Sequence, residues 1–251
     1  MAWEQVETLV AIPTKGNVNI KFALSLVNLP LRNFVISTAE NYPIDLSRNL
    51  LVAQALSLSS RYIFFLDDDI IASRKQITKL YNEVEKYDII SAIYLHKILA
   101  KPVARINGEY IRENNGIIAV DDIGFGCCFI KTSIFERIAK SNTHTFKCLT
   151  IHNDKESTIG QRNNKTISFD YETARSLRYR CDVCNGYLVY PFFRWTHGFE
   201  IDGTSEDYDF CKTLRRNNIS IFVDSDVIVK HLFPALIHEE GVSPVYGVAI
   251  E

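Results

Sequence analysis

The segment Tyr62-Ile-Phe-Phe-Leu-Asp-Asp-Asp-Ile70 has the clearest structural and chemical pattern in this sequence. Its first five residues are apolar, aromatic or β-branched, and they predict a buried strand over Tyr62–Leu66. Three aspartates follow directly, so a rigid strand would present three carboxylates at its C-terminal end. Such neighbours repel one another unless a cation is present, and Mg²⁺ and Mn²⁺ favour oxygen ligands of this kind. One aspartate here would be an ordinary N-cap for a following helix. Three after a buried strand favour a metal site.

Strands alternate with amphipathic segments through the first half of the chain, a pattern typical of a mostly parallel, doubly wound α/β sheet. Besides Tyr62–Leu66, we predict strands at Val6–Pro13, Asn33–Thr38 and Asp88–Tyr94, and helices at Ile20–Asn28, Leu46–Leu58 and Lys75–Tyr87. Ligands of such sheets bind beyond the C-terminal ends of the strands. The loops after Pro13, Thr38 and Leu66 should therefore converge on one crevice.

The second half of the chain is less regular. We predict a small hairpin of Val103–Ile106 with Ile117–Val120, then a strand and a helix in GFGCCFIKTSIFERIAK, and a half-buried strand in PFFRW. A helix over Tyr208–Arg216 precedes two short strands, Ser220–Val223 and Val227–Val229. The polar stretch from Ser141 to Arg180 has no convincing period. The whole chain is interpreted as one domain, 1–251, with an inserted lid or metal-bound segment at 142–189.

Composition narrows the function classes. The chain has 251 residues, 47% of them hydrophobic, which is enough for a large core, and its formal net charge is −2. This charge argues against nucleic acid as a partner. Neither an export signal nor a run of roughly 18 apolar residues is present, so we expect no transmembrane segment and a cytoplasmic protein whose acceptor could bring it to a membrane surface.

Several segments resemble the GT-A glycosyltransferases, especially the inverting family 2 group. IFFLDDDI resembles the Asp-x-Asp strand end of that family, DLSRNLLVAQAL the helix before it, and SEDYDFCKTLRRNNISIFVDSDVIVKHL its terminal catalytic segment. The resemblance implies a GT-A fold, a nucleotide-sugar donor and a bound Mn²⁺ or Mg²⁺. It gives Asp67 and Asp69 the role of metal and diphosphate ligands, Asp68 a contact to sugar or ribose, and His231 the role of a further metal ligand.

The Glu206-Asp207 pair matches the position of the family's catalytic base. An inverting transfer needs a base beside the incoming hydroxyl, so Asp207 is assigned to that role, with Glu206 as the alternative. The other interpretation is structural, because carboxylates at the start of a helix are stabilised without any catalytic role.

Contacts to the nucleotide are marked by position alone. Pro13 and Thr14 end the first strand, and the second leads to Glu40, which places them where base and ribose would bind. The resemblance of the Ser-Arg-Asn segment to the family further implies that Arg48 could donate to the diphosphate. A solvated surface arginine is the alternative.

Two further groups have both a functional and a structural interpretation. The first group, Cys148, His152, Cys181 and Cys184, has a spacing that could form a structural Zn²⁺ site, although His144 competes and the chain also uses Cys as a small hydrophobe. The second consists of the aromatic residues Phe192, Phe193 and Trp195, with His197. These could bind an acceptor sugar or belong to the core.

The expected function is metal-dependent and inverting transfer of a sugar from a nucleotide-diphosphate sugar to a hydroxyl of a carbohydrate, lipid-linked or protein acceptor.

A haloacid-dehalogenase-like phosphatase shares the Asp-x-Asp strand end, but Ile70 and Ile71 stand where it needs a small turn residue. A sugar-1-phosphate nucleotidyltransferase would need more glycine than IPTKGN offers. A catalytically silent nucleotide-sugar or carbohydrate-binding module on the same fold is the alternative outside enzymes.

Overall fold

A computed structural model gives the fold of the chain. It describes residues 6–96, 101–111, 116–141, 144–147, 166–169, 171–177, 188–195, 205–232, 235–238 and 241–244. For the four short segments 144–147, 166–169, 235–238 and 241–244, the description covers the backbone alone.

A seven-stranded mixed sheet forms the centre of the molecule. Its strands are β1 (Thr8–Thr14), β2 (Phe34–Glu40), β3 (Tyr62–Leu66), β5 (Ile89–Ile93), β8 (Ile117–Val120), β9 (Cys127–Lys131) and β12 (Ile221–Ile228). They lie in the order β2-β1-β3-β9-β5-β12-β8. Strands β9 and β8 run against their neighbours, and the other five run in one direction. The fold is α/β with a mostly parallel sheet, consistent with a Rossmann-like GT-A architecture.

Short two-stranded pairs surround this sheet: β4 (Ile70–Ile71) with β13 (Lys230–His231), β6 (Arg105–Ile106) with β7 (Glu109–Tyr110), β10 (His144–Lys147) with β11 (Thr166–Phe169), and β14 (Ala235–His238) with β15 (Gly241–Pro244). The helices are α1 (Ile20–Leu26), α2 (Ile44–Ser57), α3 (Arg74–Glu83), α4 (Thr132–Ser141), α5 (Tyr171–Ala174) and α6 (Glu206–Arg216). Helix α3 begins at a capping box in which the Ser73 hydroxyl accepts from the backbone of Gln76 and the Gln76 side chain accepts from the backbone of Ser73. Helices α1 and α6 are capped by Asn19 and Ser205.

The sheet separates two hydrophobic cores, and strand β3 contributes to both because its side chains alternate between the two faces. Ile63 and Phe65 belong to the first core, with α2, α4 and α6. Tyr62, Phe64 and Leu66 belong to the second, with α1 and α3. All five side chains are fully buried. The aspartates that follow β3 therefore extend from a strand that is buried on both faces.

The structure corrects three sequence predictions. Ile117–Val120 does not form a hairpin with Val103–Ile106; it pairs with β12, about a hundred residues further along the chain, while Arg105–Ile106 pairs with the adjacent β7. The two predicted strands Ser220–Val223 and Val227–Val229 are one strand, interrupted by an irregularity in its pairing with β5. The stretch from Ser141 to Arg180, predicted to be without regular structure, contributes β10, β11 and α5.

Most of the predicted insertion at 142–189 falls outside the described residues, including Cys148, His152, Cys181 and Cys184. The zinc hypothesis therefore stays a prediction. Within the described part of the chain, no helix is both long and apolar enough to cross a membrane.

Candidate active site

The three aspartates form a tight turn that is held on both sides by backbone hydrogen bonds. The amide of Ile70 donates to the carbonyl of Asp67 at 3.0 Å, which closes the turn. The amide of Asp67 donates to the carbonyl of Gly126 at 2.9 Å, and the amide of Leu232 donates to the carbonyl of Asp69 at 2.7 Å. The turn is thus positioned by the residue before β9 on one side and by the residue after β13 on the other.

Each of the three carboxylates has a different partner. Both oxygens of Asp67 accept from the guanidinium of Arg48, at 3.2 and 3.3 Å. Asp68 accepts from the Thr14 hydroxyl at 2.5 Å, and Oδ1 of Asp69 lies 3.3 Å from Nε2 of His231. The three carboxylates therefore diverge towards different parts of the site.

Arg48 is the centre of a buried group of charges. Its side chain is 2% exposed, and its Nε lies 3.3 Å from Oδ1 of Asp207 and 3.6 Å from Oε1 of Glu206. The guanidinium also lies over the rings of Phe65 and Phe193, at 5.4 and 5.8 Å from their centroids. The alternative of a solvated surface arginine is therefore wrong. One buried guanidinium connects the aspartate turn to the carboxylates of α6.

The Glu206-Asp207 pair lies in the first turn of α6, but it is not the N-cap. That position belongs to Ser205, whose hydroxyl accepts from the amide of Tyr208. Asp207 instead reaches towards the loop that precedes β9, where its Oδ2 accepts from the amide of Phe125 at 3.2 Å. Its other oxygen, Oδ1, is buried and has no aligned hydrogen-bond donor among the described residues. This oxygen is an acceptor site within the charge cluster.

Burial and charge raise the affinity of these carboxyls for protons. Burial, and then the adjacent Asp207, raise the pKa of Glu206 to about 8, against the opposing effect of Arg48. Burial also raises the pKa of Asp207 and of Asp67, again opposed by Arg48. For Arg48 itself, burial alone would lower the pKa, but the three carboxylates overcome it, so the pKa is raised and the guanidinium stays charged. One positive charge thus faces three carboxyl groups, each of which binds a proton more tightly than an exposed carboxyl group does.

His231 is brought to the aspartate turn by strand pairing. In the pair β4–β13, His231 lies opposite Ile70, the residue after Asp69. Its Nδ1 is 2.8 Å from the carbonyl oxygen of Leu95, which requires the proton on Nδ1 and directs Nε2 towards Asp69. The ring also makes an edge contact with Tyr94, with centroids 5.3 Å apart. A histidine fixed through Nδ1 in this way has the arrangement common among metal ligands.

Asp69 and His231 have the spacing that two protein ligands of one divalent cation would have. Oδ1 of Asp69 and Nε2 of His231 are 3.3 Å apart, close to the roughly 3 Å expected of two adjacent ligands at about 2.1 Å from one ion. Among the described residues, no group of three His, Cys, Asp or Glu side chains encloses such an ion. Mg²⁺ and its analogues commonly use one or two protein ligands and take the rest from phosphate and water. The third predicted ligand, Asp67, is paired with Arg48, so its metal role stays a prediction.

Tyr94 is part of the site although the sequence did not single it out. Its hydroxyl accepts from the amide of Gly126 at 2.9 Å. A Cβ on Gly126 would lie 2.8 Å from that hydroxyl and 3.0 Å from Oδ2 of Asp67, and a Cβ on Gly124 would collide with the same hydroxyl. Burial, Asp207 and Asp67 raise the pKa of Tyr94 well above its usual value, so the phenol stays neutral. The Gly-x-Gly spacing was the available signal, because it predicts a close approach to the backbone.

The predicted nucleotide residues lie at the ends of β1 and β2. Pro13 and Thr14 pair with Ala39 and Glu40, and the amide of Asn41 donates to the carbonyl of Thr14 at 3.0 Å. Because the Thr14 hydroxyl also donates to Asp68, the ends of β1, β2 and β3 meet as predicted. The exposed Glu40 lies at the edge of this region.

The Pro-Phe-Phe-Arg-Trp segment is not the predicted strand. Its backbone is held by side chains of α2: Asn49 donates to the carbonyl of Phe193 at 2.8 Å and accepts from its amide at 2.9 Å, and Asp45 accepts from the amide of Trp195. Phe192 and Phe193 are buried in the first core, which supports the structural interpretation of these two aromatics. Trp195 is 41% exposed. His197 lies outside the described residues.

Comparison with known proteins yields no match to a protein-family model and no match to a curated protein sequence. Among solved structures, A197 from STIV is similar over 52% of this chain and 67% of its own length, with a TM-score of 0.42 and 22% identity. S. aureus TarS 1–349, solved in complex with UDP-GlcNAc, is similar over 52% of this chain, with a TM-score of 0.34 and 10% identity. The match spans 46% of that TarS chain. Function must therefore be argued from the site itself.

Proposed function

We propose that this chain is a glycosyltransferase that moves a sugar from a nucleotide-diphosphate sugar to an acceptor hydroxyl, with inversion. The observation that supports the proposal is that Arg48 contacts both the aspartate turn and the carboxylates of α6. A single buried guanidinium contacts Asp67, at the strand end where a diphosphate would bind, and Asp207, at the helix start where a base would act. Transfer requires a site for the leaving group and a base within one geometry, and Arg48 supports both.

Asp207 is the proposed base. Its side chain is 16% exposed, and its Oδ1 lacks an aligned donor among the described residues, so the carboxylate has capacity left to accept the proton of an acceptor hydroxyl. The raised pKa of this carboxyl makes it a better proton acceptor than an exposed aspartate, while Arg48 limits the rise so that the ionised form is still accessible. The amide of Phe125 holds the other oxygen in place. Glu206 is the alternative base, since it contacts Arg48 and also has a raised pKa.

Asp69 and His231 are the proposed protein ligands of an Mn²⁺ or Mg²⁺ ion, with Asp67 as the predicted third ligand. When bound, such an ion offsets the negative charge that develops on the departing nucleoside diphosphate. Asp68, held by the Thr14 hydroxyl, lies between the ends of β1 and β3, where it could contact the ribose or the sugar. Pro13, Thr14 and Glu40 stay proposed nucleotide contacts.

Ligand-dependent stability tests the donor site. Thermal unfolding would be measured with a panel of nucleoside diphosphates and nucleotide sugars, UDP-GlcNAc among them, with and without Mn²⁺ or Mg²⁺. A ligand at a hundredfold excess over its Kd stabilises the native state by about 2.7 kcal/mol. We expect a metal-dependent increase in Tm for one nucleotide in the wild type.

Two variants make this test specific. Asp69→Asn should lose the metal-dependent increase, whereas the control Asp88→Asn, at a surface carboxylate that pairs with Lys131, should keep it. If no nucleotide stabilises the protein, the donor site is refuted. Metal-dependent hydrolysis of a phosphomonoester in its place would favour the phosphatase.

Turnover separates an enzyme from a silent binding module. Once a donor is identified, its hydrolysis or transfer would be followed in the wild type, Asp207→Asn and Glu206→Gln. We expect Asp207→Asn to lose at least about a hundredfold in rate and to keep the nucleotide-induced increase in Tm, since general base catalysis contributes about 10²–10⁴. A larger loss of rate in Glu206→Gln than in Asp207→Asn would identify Glu206 as the base. Donor binding without turnover in the wild type would support the silent module.

A further inference from the structure

The loop of residues 121–126, between β8 and β9, contacts both halves of the candidate site. The amide of Phe125 donates to Oδ2 of Asp207 at 3.2 Å. The carbonyl of the next residue, Gly126, accepts from the amide of Asp67 at 2.9 Å. Two consecutive loop residues thus contact the proposed base and the aspartate turn. The separation of Asp207 from Asp67 therefore depends on where this loop lies.

The same loop is attached to α6 at two further points. Cys211 and Arg215 follow Asp207 at successive spacings of four residues, so the three side chains lie along one side of the helix. The amide of Ile123 donates to Sγ of Cys211 at 3.4 Å. Arg215 donates to Oδ1 of Asp122 at 2.8 Å. The loop therefore follows the helix from its first turn, at Asp207, to its last turn, at Arg215.

Asp122 is the carboxylate at the end of the loop that lies away from Asp207. Its side chain is 10% exposed, and each of its oxygens has its own arginine. Oδ1 pairs with Arg215, and Oδ2 pairs with Nη2 of Arg105 at 3.1 Å. The backbone of Arg105, in β6, also exchanges hydrogen bonds with Asp121 and Asp122. One nearly buried carboxylate, shared by two cations, therefore fixes the start of the loop.

Arg105 also contacts the first turn of α6. Its Cζ lies 3.8 Å from the centroid of the Tyr208 ring, which is the geometry of a cation–π contact. Tyr208 is the residue after Asp207. Arg105 thus contacts the loop through Asp122 and the helix beside the proposed base through Tyr208.

We propose that Asp122 is a positioning residue for Asp207. Its ion pairs with Arg105 and Arg215 hold the loop against α6, and the loop holds the carboxylate of Asp207 at a fixed distance from Asp67. Transfer requires this geometry, because misplacement of a reacting group by about 1 Å can cost about a hundredfold in rate. The effect on turnover rests on the proposed transferase function, whereas the effect on the position of the loop does not.

Hydrogen exchange and turnover together test the proposal in the full chain. Asp122→Asn keeps the size of the side chain and removes its charge. Relative to the amides of β3, we expect the amide of Phe125 to exchange roughly tenfold faster in this variant. With an identified donor, kcat should fall by about tenfold to a hundredfold. KM for the donor and the donor-induced increase in Tm should stay as in the wild type.

Substitution of Arg215, whose side chain is 38% exposed, gives a second route to the same effect. Arg215→Gln removes one ion pair of Asp122, so its kcat should fall in the same direction. Arg215→Lys keeps the positive charge and should recover most of the lost turnover. A purely structural loss of side-chain packing would not separate these two variants in this way.

Asp224→Asn provides the matched control, because Asp224 is a fully buried aspartate that pairs with Lys79 of α3 at 2.9 Å. It should leave kcat and the relative exchange of the Phe125 amide unchanged. Unchanged exchange at Phe125 in Asp122→Asn would overturn the proposal, and so would an equal loss of kcat in Asp224→Asn. A wild type that turns over no donor would refute the transferase, while faster exchange at Phe125 in Asp122→Asn would still support the positioning of Asp207.

Discussion

At the scale of single residues, the candidate site depends on an imbalance of charge. Arg48 supplies one buried positive charge to three carboxyl groups, those of Asp67, Glu206 and Asp207. Buried ion pairs gain little net stability because both partners lose their hydration, yet removing one partner is costly. The arrangement is therefore better explained by the positions it fixes than by the stability it adds.

Substitution of Arg48 should show how far the buried carboxyl groups depend on its positive charge. Arg48→Gln leaves the carboxyls without a cation, and we expect a loss of about 3–5 kcal/mol in the free energy of unfolding at neutral pH. Arg48→Lys keeps the charge but not the paired contact with both oxygens of Asp67, so its loss should be smaller. Urea denaturation of the three proteins measures both effects. Equal stability of Arg48→Gln and the wild type would contradict the buried cluster.

Glu206 should make the stability depend on pH. Its pKa rises from 4.5 to about 8 on folding, so the folded state binds its proton more tightly than the unfolded state. This contribution to stability is fully present below pH 4.5 and is lost as the pH rises towards 8. Glu206→Gln removes it, because glutamine does not titrate. Between pH 5 and 9 the wild type should therefore lose a few kcal/mol relative to the variant, at about 1.4 kcal/mol per pKa unit, as measured by urea denaturation at each pH. A constant difference would show that Glu206 titrates normally.

The residues of the site differ in how far the sequence could predict them. Asp67, Asp68 and Asp69 follow a five-residue apolar strand, and that local pattern was sufficient to place them at the end of the sheet. Tyr94 carries no comparable local signal, because a tyrosine at the end of a strand is ordinary. Its role follows from its contact with Gly126, 32 residues away in the sequence.

At the scale of elements, helix α2 has two functions in adjacent residues. Arg48 points into the charge cluster, and Asn49 forms a reciprocal pair of hydrogen bonds with the backbone of Phe193. A side chain thus supplies the donor and acceptor that a neighbouring strand would otherwise provide. This is why an alternating sequence, which predicted a strand, adopts an irregular conformation here.

Asn49→Ala should show how much the two hydrogen bonds between Asn49 and the backbone of Phe193 stabilise the protein. It would leave a buried amide and a buried carbonyl of Phe193 without partners, and each unpaired group costs about 1–3 kcal/mol. We expect a loss of roughly 2–5 kcal/mol in the free energy of unfolding, on the same basis. The exposed Asn28 offers the control, since Asn28→Ala should change stability by less than about 0.5 kcal/mol. A similar small change in both variants would mean that the segment is held mainly by its buried aromatics.

The elements that the sequence predicted well are those with local signals. Strand β3 agrees with its predicted bounds, and α1, α2 and α3 begin within two residues of theirs. The pairing of Ile117–Val120 was wrong because its partner is β12, and hydrophobic periodicity contains no information about distant partners. The position of His231 beside Asp69 depends on the β4–β13 pair in the same way. Only the family resemblance indicated it.

At the scale of the whole molecule, the central sheet divides the protein into two cores, and the guanidinium of Arg48 packs against aromatic rings of the first core. Phe65 faces the first core, where its ring contacts Phe125, Phe193 and the guanidinium of Arg48. Phe64, the preceding residue, faces the second core and stacks on Phe129, with centroids 4.1 Å apart. Two adjacent residues of equal size and equal burial therefore differ in their connection to the site.

This difference allows stability and function to be separated. Phe64→Leu and Phe65→Leu should each lower the free energy of unfolding by roughly 1–3 kcal/mol, because both create a small cavity in a buried core. Only Phe65→Leu should also weaken the metal-dependent stabilisation by nucleotide or slow turnover, since its ring packs against Arg48 and thereby positions Asp67 and Asp207. Urea denaturation and the nucleotide assay on the same preparations measure the two effects. Equal functional losses in both variants would mean that the site responds to overall stability and not to the packing of Phe65 against Arg48.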